Sequence, residues 1–221
     1  MTAGRTLARS LAAQSISQGK PLEWFERLYQ QAGSNESVIP WADMSVNPNL
    51  EAWLEREQPD GTDQRALVVG CGLGDDAEAL ASSGFHVMAF DISETCIEWC
   101  RRRFPHSPVE YSSADLFMLP SSWRRAFDFV LESYTLQVIP HELRPSAIQQ
   151  IAECVASDGT VLVITRGRSA GDDPGKMPWP LVRDELGVFV QCGLTEVNFE
   201  DYLDAEEPPV RRFRVDYRRG K

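Results

Sequence analysis

Arg65-Ala66-Leu67-Val68-Val69-Gly70-Cys71-Gly72-Leu73-Gly74-Asp75-Asp76 is the stretch whose reading decides the fold. Ala66 to Gly70 is a short apolar run of the kind that forms an interior parallel strand. It passes directly into a glycine-rich turn and then into Ala77-Glu78-Ala79-Leu80-Ala81, a helical pattern with acidic residues in its first turn. Glycines at 70, 72 and 74 permit positive φ and leave no Cβ where a ligand approaches the backbone. Such a strand-to-helix turn is where α/β sheets hold nucleotide-like ligands. The dinucleotide fingerprint G-x-G-x-x-G/A would place a third small residue where Asp75 stands, with a pyrophosphate at the helix N-terminus. Two carboxylates, Asp75 and Asp76, repel a diphosphate. They suit a ligand that carries positive charge and no phosphate.

The remaining composition narrows the class. The chain has 221 residues, 43% hydrophobic and 25% charged, which fits one domain with a substantial core and an N-terminal extension. Its apolar runs are strand-length, so no membrane span is expected, and the first ten residues lack the apolar core of a secretory signal. Net charge is −11, from 22 basic and 33 acidic residues, which disfavours nucleic acid as a partner. Arg101-Arg102-Arg103, Arg211-Arg212 and Arg218-Arg219 read as solvated faces and sheet-edge charges. The five cysteines (71, 96, 100, 154 and 192) form no C-x-x-C pair, and 96 and 100 share a helix face. That pattern predicts reduced thiols in a cytoplasmic protein with no metal site.

Ahead of the central stretch, residues 4–19 read as an amphipathic helix with Leu7, Ala8, Leu11 and Ser15 on one side. A second helix starts behind Pro21 and carries the stripe Trp24, Phe25, Leu28 and Tyr29. The stripe either packs onto the domain or covers the ligand. Val38 to Leu50 is an ordered connection with two prolines, in which Asn47 caps a helix that runs to Glu57. Residues 1–58 are thus expected as a helical extension or lid, and 59–221 as the main domain.

After the glycine turn, His86 to Phe90 is the second strand and ends at Asp91-Ile92. An acidic residue there is placed to accept from both ribose hydroxyls of a nucleoside ligand. A helix from Ser93 to Arg103 precedes the third strand, Val109 to Ser113, which leads to Asp115 and Leu116. Ala126 to Glu132 is the fourth strand. Its carboxyl end is expected beside the glycine turn, which makes Glu132 and Tyr134 candidate site residues. A helix over 146–155 and an Asp158-Gly159 turn lead to the fifth strand, Thr160 to Thr165. Arg166 to Pro180 is a long polar loop on the strand's carboxyl side. Leu181 to Cys192 reads as helical, and 195–202 with 210–217 as an antiparallel hairpin.

In this order the elements resemble the class I S-adenosylmethionine-dependent methyltransferases, and Val-Val-Gly-Cys-Gly-Leu-Gly-Asp is similar to their first motif. The Pro-Trp-Ala-Asp segment with Asn-Pro behind it resembles thiopurine- and thiol-methyltransferase-like proteins. The generic form of the glycine turn makes the tellurite-resistance methyltransferases a comparable relative. The resemblance implies a Rossmann-like α/β fold. Its seven-stranded, mostly parallel sheet would have the order 3-2-1-4-5-7-6, with helices on both faces and an N-terminal helical lid. It also implies S-adenosylmethionine as cofactor, held by Trp41, Gly70, Cys71, Gly72, Gly74, Asp75, Asp91, Ile92, Asp115, Leu116, Glu132 and Tyr134. Within that set Asp115 and the Leu116 amide would meet the adenine, and Trp41 would pack beside the cofactor. A core-filling role for Trp41 remains open.

Methyl transfer from a sulfonium needs alignment more than acid, and a base only when the acceptor is protonated. His86 lies in a strand, His106 in a proline-flanked loop, and His141 follows the fourth strand. Tyr134 and His141 are the catalytic candidates. Without a clear base, a small thiol or other soft nucleophile is the expected acceptor. An N- or O-methyltransferase of a small metabolite and a noncatalytic binding protein of the same fold remain alternatives. A nicotinamide dehydrogenase is disfavoured by Asp75 and the terminal hairpin. The chain is expected as a monomer or homodimer that takes a small-molecule substrate, with no nucleic acid or membrane partner.

Overall fold

The computed structural model describes residues 3–221. Three helices come first, α1 (Ala3–Ser17), α2 (Glu23–Ala32) and α3 (Pro48–Glu57). Then follow β1 (Arg65–Val69), α4 (Asp75–Ser82), β2 (His86–Asp91), α5 (Glu94–Arg103), β3 (Glu110–Ser113) and β4 (Phe127–Ser133). The chain continues through α6 (Arg144–Cys154), β5 (Val155–Arg166), α7 (Arg183–Leu186), α8 (Val188–Gln191), β6 (Leu194–Leu203) and β7 (Arg211–Arg219). The strands form one sheet in the order β3-β2-β1-β4-β5-β7-β6, the expected order. Strands β2 and β3 run parallel, as do β1, β4 and β5, while β7 is antiparallel to both β5 and β6.

The chain divides into two compact units. Among the described residues, 3–62 belong with 70–115, and 63–69 with 116–221. In the first unit Asn47 caps its helix as expected from sequence, and Ser93, expected as the first helical residue, is a cap as well. The Asn47 side chain accepts from the Asn49 amide behind Pro48, and the Ser93 hydroxyl accepts from the Cys96 amide. Trp24, Leu28 and Tyr29 of α2 are fully buried. Glu26, on the same helix, accepts from the Ser93 and Thr95 hydroxyls at 2.6 Å each, which fastens α2 to the start of α5. The aromatic stripe is therefore part of this unit's core.

In the second unit, Val161 to Ile164 of β5 and Phe129 to Glu132 of β4 are buried without alternation, because both faces of these strands are covered. Three features differ from the sequence reading. Strand β5 starts at Val155, and the Asp158-Gly159 turn is an irregularity inside it, with Asp158 at φ 59°. The helix expected over 181–192 is two short ones, α7 and α8, broken at Gly187. Arg218 of β7 is exposed as expected, but Arg212, Arg214 and Arg219 are buried rather than solvated. Arg219 donates to the carbonyls of Ala152, Val155 and Cys192, satisfying acceptors at the ends of α6 and α8. Arg214 pairs with Glu200 across the hairpin, and Arg212 with Asp204 and Glu206 of its loop.

Candidate active site

The glycine turn joins the end of β1 to the start of α4. Gly70, Gly72 and Gly74 all have positive φ, at 60°, 53° and 94°. The Cys71 amide donates to the Phe90 carbonyl, and the Gly72 amide to Asp91 Oδ2 at 3.3 Å. The Ser93 amide donates to Asp91 Oδ1 at 3.0 Å. Asp91 is buried, and desolvation pushes its carboxyl up to about 6 against the backbone bonds, which pull it down. A carboxylate offers about four acceptor positions, so these donors leave capacity for further hydroxyl groups.

Two glycines of the turn are small for different reasons. A Cβ at Gly72 would lie 3.6 Å from the Trp41 indole, so position 72 faces that ring. The indole N–H of Trp41 donates to Tyr29 Oη at 2.9 Å, and its ring meets Trp24, Phe25 and Tyr29 edge-on. A Cβ at Gly74 would lie 2.5 Å from Tyr111 Oη. The space beside Gly74 is filled by protein, so that glycine serves packing rather than ligand approach.

Asp75 does not present a free charge as expected. Arg103 from the end of α5 holds both of its carboxylate oxygens at 2.8 Å. Asp76 Oδ1 accepts from the Asn47 amide at 2.8 Å. The charge argument against a diphosphate therefore does not rest on Asp75, since an arginine already matches it. Ile92 and Asp115 are half-buried at the ends of β2 and of the segment after β3, and Leu116 is buried.

The other candidates lie at the end of β4. Glu132 pairs in register with Val69, the last residue of β1, and is fully buried. One carboxylate oxygen accepts from the Leu136 amide at 2.8 Å, whereas Oε2 has no hydrogen-bond partner. Desolvation raises this carboxyl to about 7. Tyr134 is half-buried at φ 65°, a conformation that a tyrosine adopts only when its surroundings enforce it. The guanidinium of Arg212 lies 4.6 Å from its ring centroid. Thr135 Oγ1 donates to the Val69 carbonyl, which ties this turn to β1. Gln137 binds the polar loop, accepting from the Arg166 amide through its side chain and from the Trp179 amide through its carbonyl.

His141, the second catalytic candidate, is an exposed surface residue paired at 3.0 Å with Glu185. Glu185 is itself committed to Arg144 at 2.6 Å and to the Val182 amide at 2.8 Å. His86 and His106 are exposed. Sequence reasoning missed Tyr29, Arg103 and Arg212 as neighbours of the candidates. Their only sequence signals were an aromatic at helical spacing and arginines in basic runs.

Residues 66–159 match the family described as a methyltransferase domain. The chain is 31% identical over 174 residues to thiocyanate methyltransferase 1 of Brassica oleracea, covering 75% of this chain and 73% of that protein. It is 27% identical to the probable thiol methyltransferase 2 of Arabidopsis thaliana, covering 74% and 68%. A TehB-like SAM-dependent methyltransferase structure from Corynebacterium glutamicum shares the fold, with a TM-score of 0.60 and 18% identity over 95% of this chain and 99% of that one. The chain belongs to the class I S-adenosylmethionine-dependent methyltransferases. It is an enzyme of that class, and S-adenosylmethionine is its cofactor. The turn suits this group: a buried carboxylate with acceptor capacity to spare, three backbone-permissive glycines, and an indole facing Gly72.

Proposed function

We propose that the enzyme methylates a small thiol or a related soft anion. The observation that supports this most strongly is the likeness, over three-quarters of the chain, to a protein named for thiocyanate methylation. When bound, S-adenosylmethionine supplies a methyl group on a sulfonium whose thioether leaves readily, so alignment and exclusion of water are what the protein must add. In this reading Asp91 accepts from the ribose hydroxyls, and Asp115 with the Leu116 amide recognises the adenine edge. Gly70, Cys71 and Gly72 supply backbone at close approach, and Trp41 walls the turn. Asp75 acts indirectly, as the anchor for Arg103. The helical residues 1–58 act as a cover for the domain over 59–221, through the aromatic group of Trp24, Phe25, Tyr29 and Trp41. Tyr134 borders the acceptor.

The exposure of His141 fits an acceptor that arrives already ionised or nearly so. The test is a product analysis with thiocyanate, hydrosulfide, an aryl thiol, an amine and an alcohol as acceptors. S-methyl products are expected, with a rate that follows the thiolate fraction of each thiol. His141→Ala should leave that pH profile in place, because a general base would contribute about 10²–10⁴-fold. Methylation of only the amine or the alcohol would overturn the soft-acceptor reading.

A further inference from the structure

Three thiols converge on one backbone oxygen in the glycine turn. Cys96 Sγ lies 2.8 Å, Cys100 Sγ 3.1 Å and Cys71 Sγ 3.7 Å from the Gly72 carbonyl oxygen. Cys71 belongs to the turn, and Cys96 and Cys100 lie one helical turn apart on α5. All three are buried, and Cys71, at 8% exposure, is the one that solvent reaches most readily. The group is not arranged to hold a metal ion. Methyl transfer to an external acceptor uses none of these sulfurs.

We propose that Cys71 and Cys100 form an oxidisable pair: a hydroperoxide converts them to a disulfide that cross-links the glycine turn to α5. Geometry selects this pair. Residues four apart on a helix hold their Cβ atoms about 5–6 Å apart, beyond the roughly 3.5–4.5 Å of a disulfide, so a Cys96–Cys100 bond would distort α5. The Cys71 sulfur lies within hydrogen-bonding reach of the Cys100 sulfur. Accessibility points the same way: Cys71 is the sulfur that a peroxide in solvent reaches, whereas Cys96 and Cys100 are fully buried.

The step balances with one hydroperoxide. The Cys71 sulfur attacks the terminal peroxide oxygen, the O–O bond breaks, and a sulfenic acid forms as the thiol proton leaves with the departing water, or with an alcohol from an organic peroxide. The Cys100 sulfur then displaces that hydroxyl as water, and its own proton leaves with the water. Two thiols are oxidised by two electrons and one peroxide is reduced. The cross-link removes two of the three donors at the Gly72 carbonyl and draws the turn toward α5. Gly72 also donates to Asp91, so the same movement disturbs that contact.

The effect on ligand binding rests on reading this turn as the cofactor turn, whereas the cross-link itself does not. The experiment treats the full-length protein with hydrogen peroxide and maps disulfides by mass spectrometry after alkylation in denaturant. In parallel, S-adenosylhomocysteine is titrated calorimetrically into reduced, oxidised and dithiothreitol-treated protein. A Cys71–Cys100 peptide is expected, with affinity at least about tenfold weaker in the oxidised protein and restored by dithiothreitol, the loss that one or two hydrogen bonds represent. Cys100→Ser, which keeps a hydroxyl donor, should form no cross-link and lose no affinity on oxidation. Oxidation that yields a Cys96–Cys100 bond, or only sulfinic and sulfonic acids, overturns the proposal. So does a Cys71–Cys100 bond with unchanged affinity. Failure of the reduced protein to bind S-adenosylhomocysteine would sink the cofactor-turn reading instead, while the disulfide map would still decide the cross-link.

Discussion

Asp91 and Glu132 are two buried carboxylates, each near the end of a parallel strand and each accepting from backbone amides. Asp91, in the first unit, has amide donors on both oxygens, from Gly72 and Ser93. Glu132, in the second, has a donor on one oxygen only. Burial raises both by a similar amount, from the ordinary 3.8 to about 6 and from 4.5 to about 7. The difference teaches that two buried carboxylates can be held differently: amides fix both oxygens of Asp91, while one oxygen of Glu132 is left without a partner.

The strongest way to break the comparison is to crowd the turn that supplies Asp91 with its Gly72 donor. Gly74→Ala places a Cβ 2.5 Å from Tyr111 Oη at φ 94°. Backbone strain of about 1–3 kcal/mol and overpacking of a similar size should combine to destabilise the protein by about 2–5 kcal/mol. Denaturant unfolding would measure this. Adding Tyr111→Phe should recover part of the loss, because the nearest clashing atom is the hydroxyl oxygen. A Gly74→Ala protein of wild-type stability would show that the turn is not constrained by that contact.

The pH dependence of stability sharpens the comparison. Glu132 has a folded-state value raised from the ordinary 4.5 to about 7. Below pH 4.5 the group is protonated in both states and costs nothing. As pH rises toward 7 the unfolded chain ionises first, so stability falls by at most about 3 kcal/mol over that interval. Asp91 contributes a fall of the same sign between its ordinary 3.8 and about 6. Glu132→Gln should remove the part of the slope above pH 6 and leave the part below pH 5, as read by urea unfolding at a series of pH values. An unchanged slope above pH 6 in the glutamine variant would show that Glu132 is not the group responsible.

The smallest effect concerns the ligand. Asp91→Ala should weaken S-adenosylhomocysteine binding at least about tenfold, since hydrogen bonds to a charged group contribute roughly 1.5–3 kcal/mol each. Affinity for wild type should also fall as pH drops through about 6, where Asp91 takes up its proton. Isothermal titration calorimetry reads both, and a folded Asp91→Ala protein with wild-type affinity would remove this residue from the ligand's partners.

Much of the fold was legible because its signals are local. An apolar run without alternation, Phe129 to Leu131 in β4 and Val161 to Ile164 in β5, marks strands covered on both faces. Asn47 before Pro48 and Ser93 before α5 cap their helices through bonds to residues two and three positions away, which sequence spacing alone specifies. Chain order then places Asp91 at the end of β2 and Glu132 at the end of β4. The break at Gly187 and the irregularity at Asp158 were harder to see, because tertiary packing decides whether a permissive residue is used as a stop.

Sequence by itself therefore determined the order of the elements, the glycine turn and its family, and which carboxylates stand at strand ends. Only the tertiary structure decided how their charges are matched. Arg103 reaches Asp75 across 28 positions, Glu26 reaches Thr95 across 69, and three thiols meet at the carbonyl of Gly72. A long polar side chain takes its partner from whatever the packed backbone brings within about 3 Å, and spacing along the chain does not encode that distance.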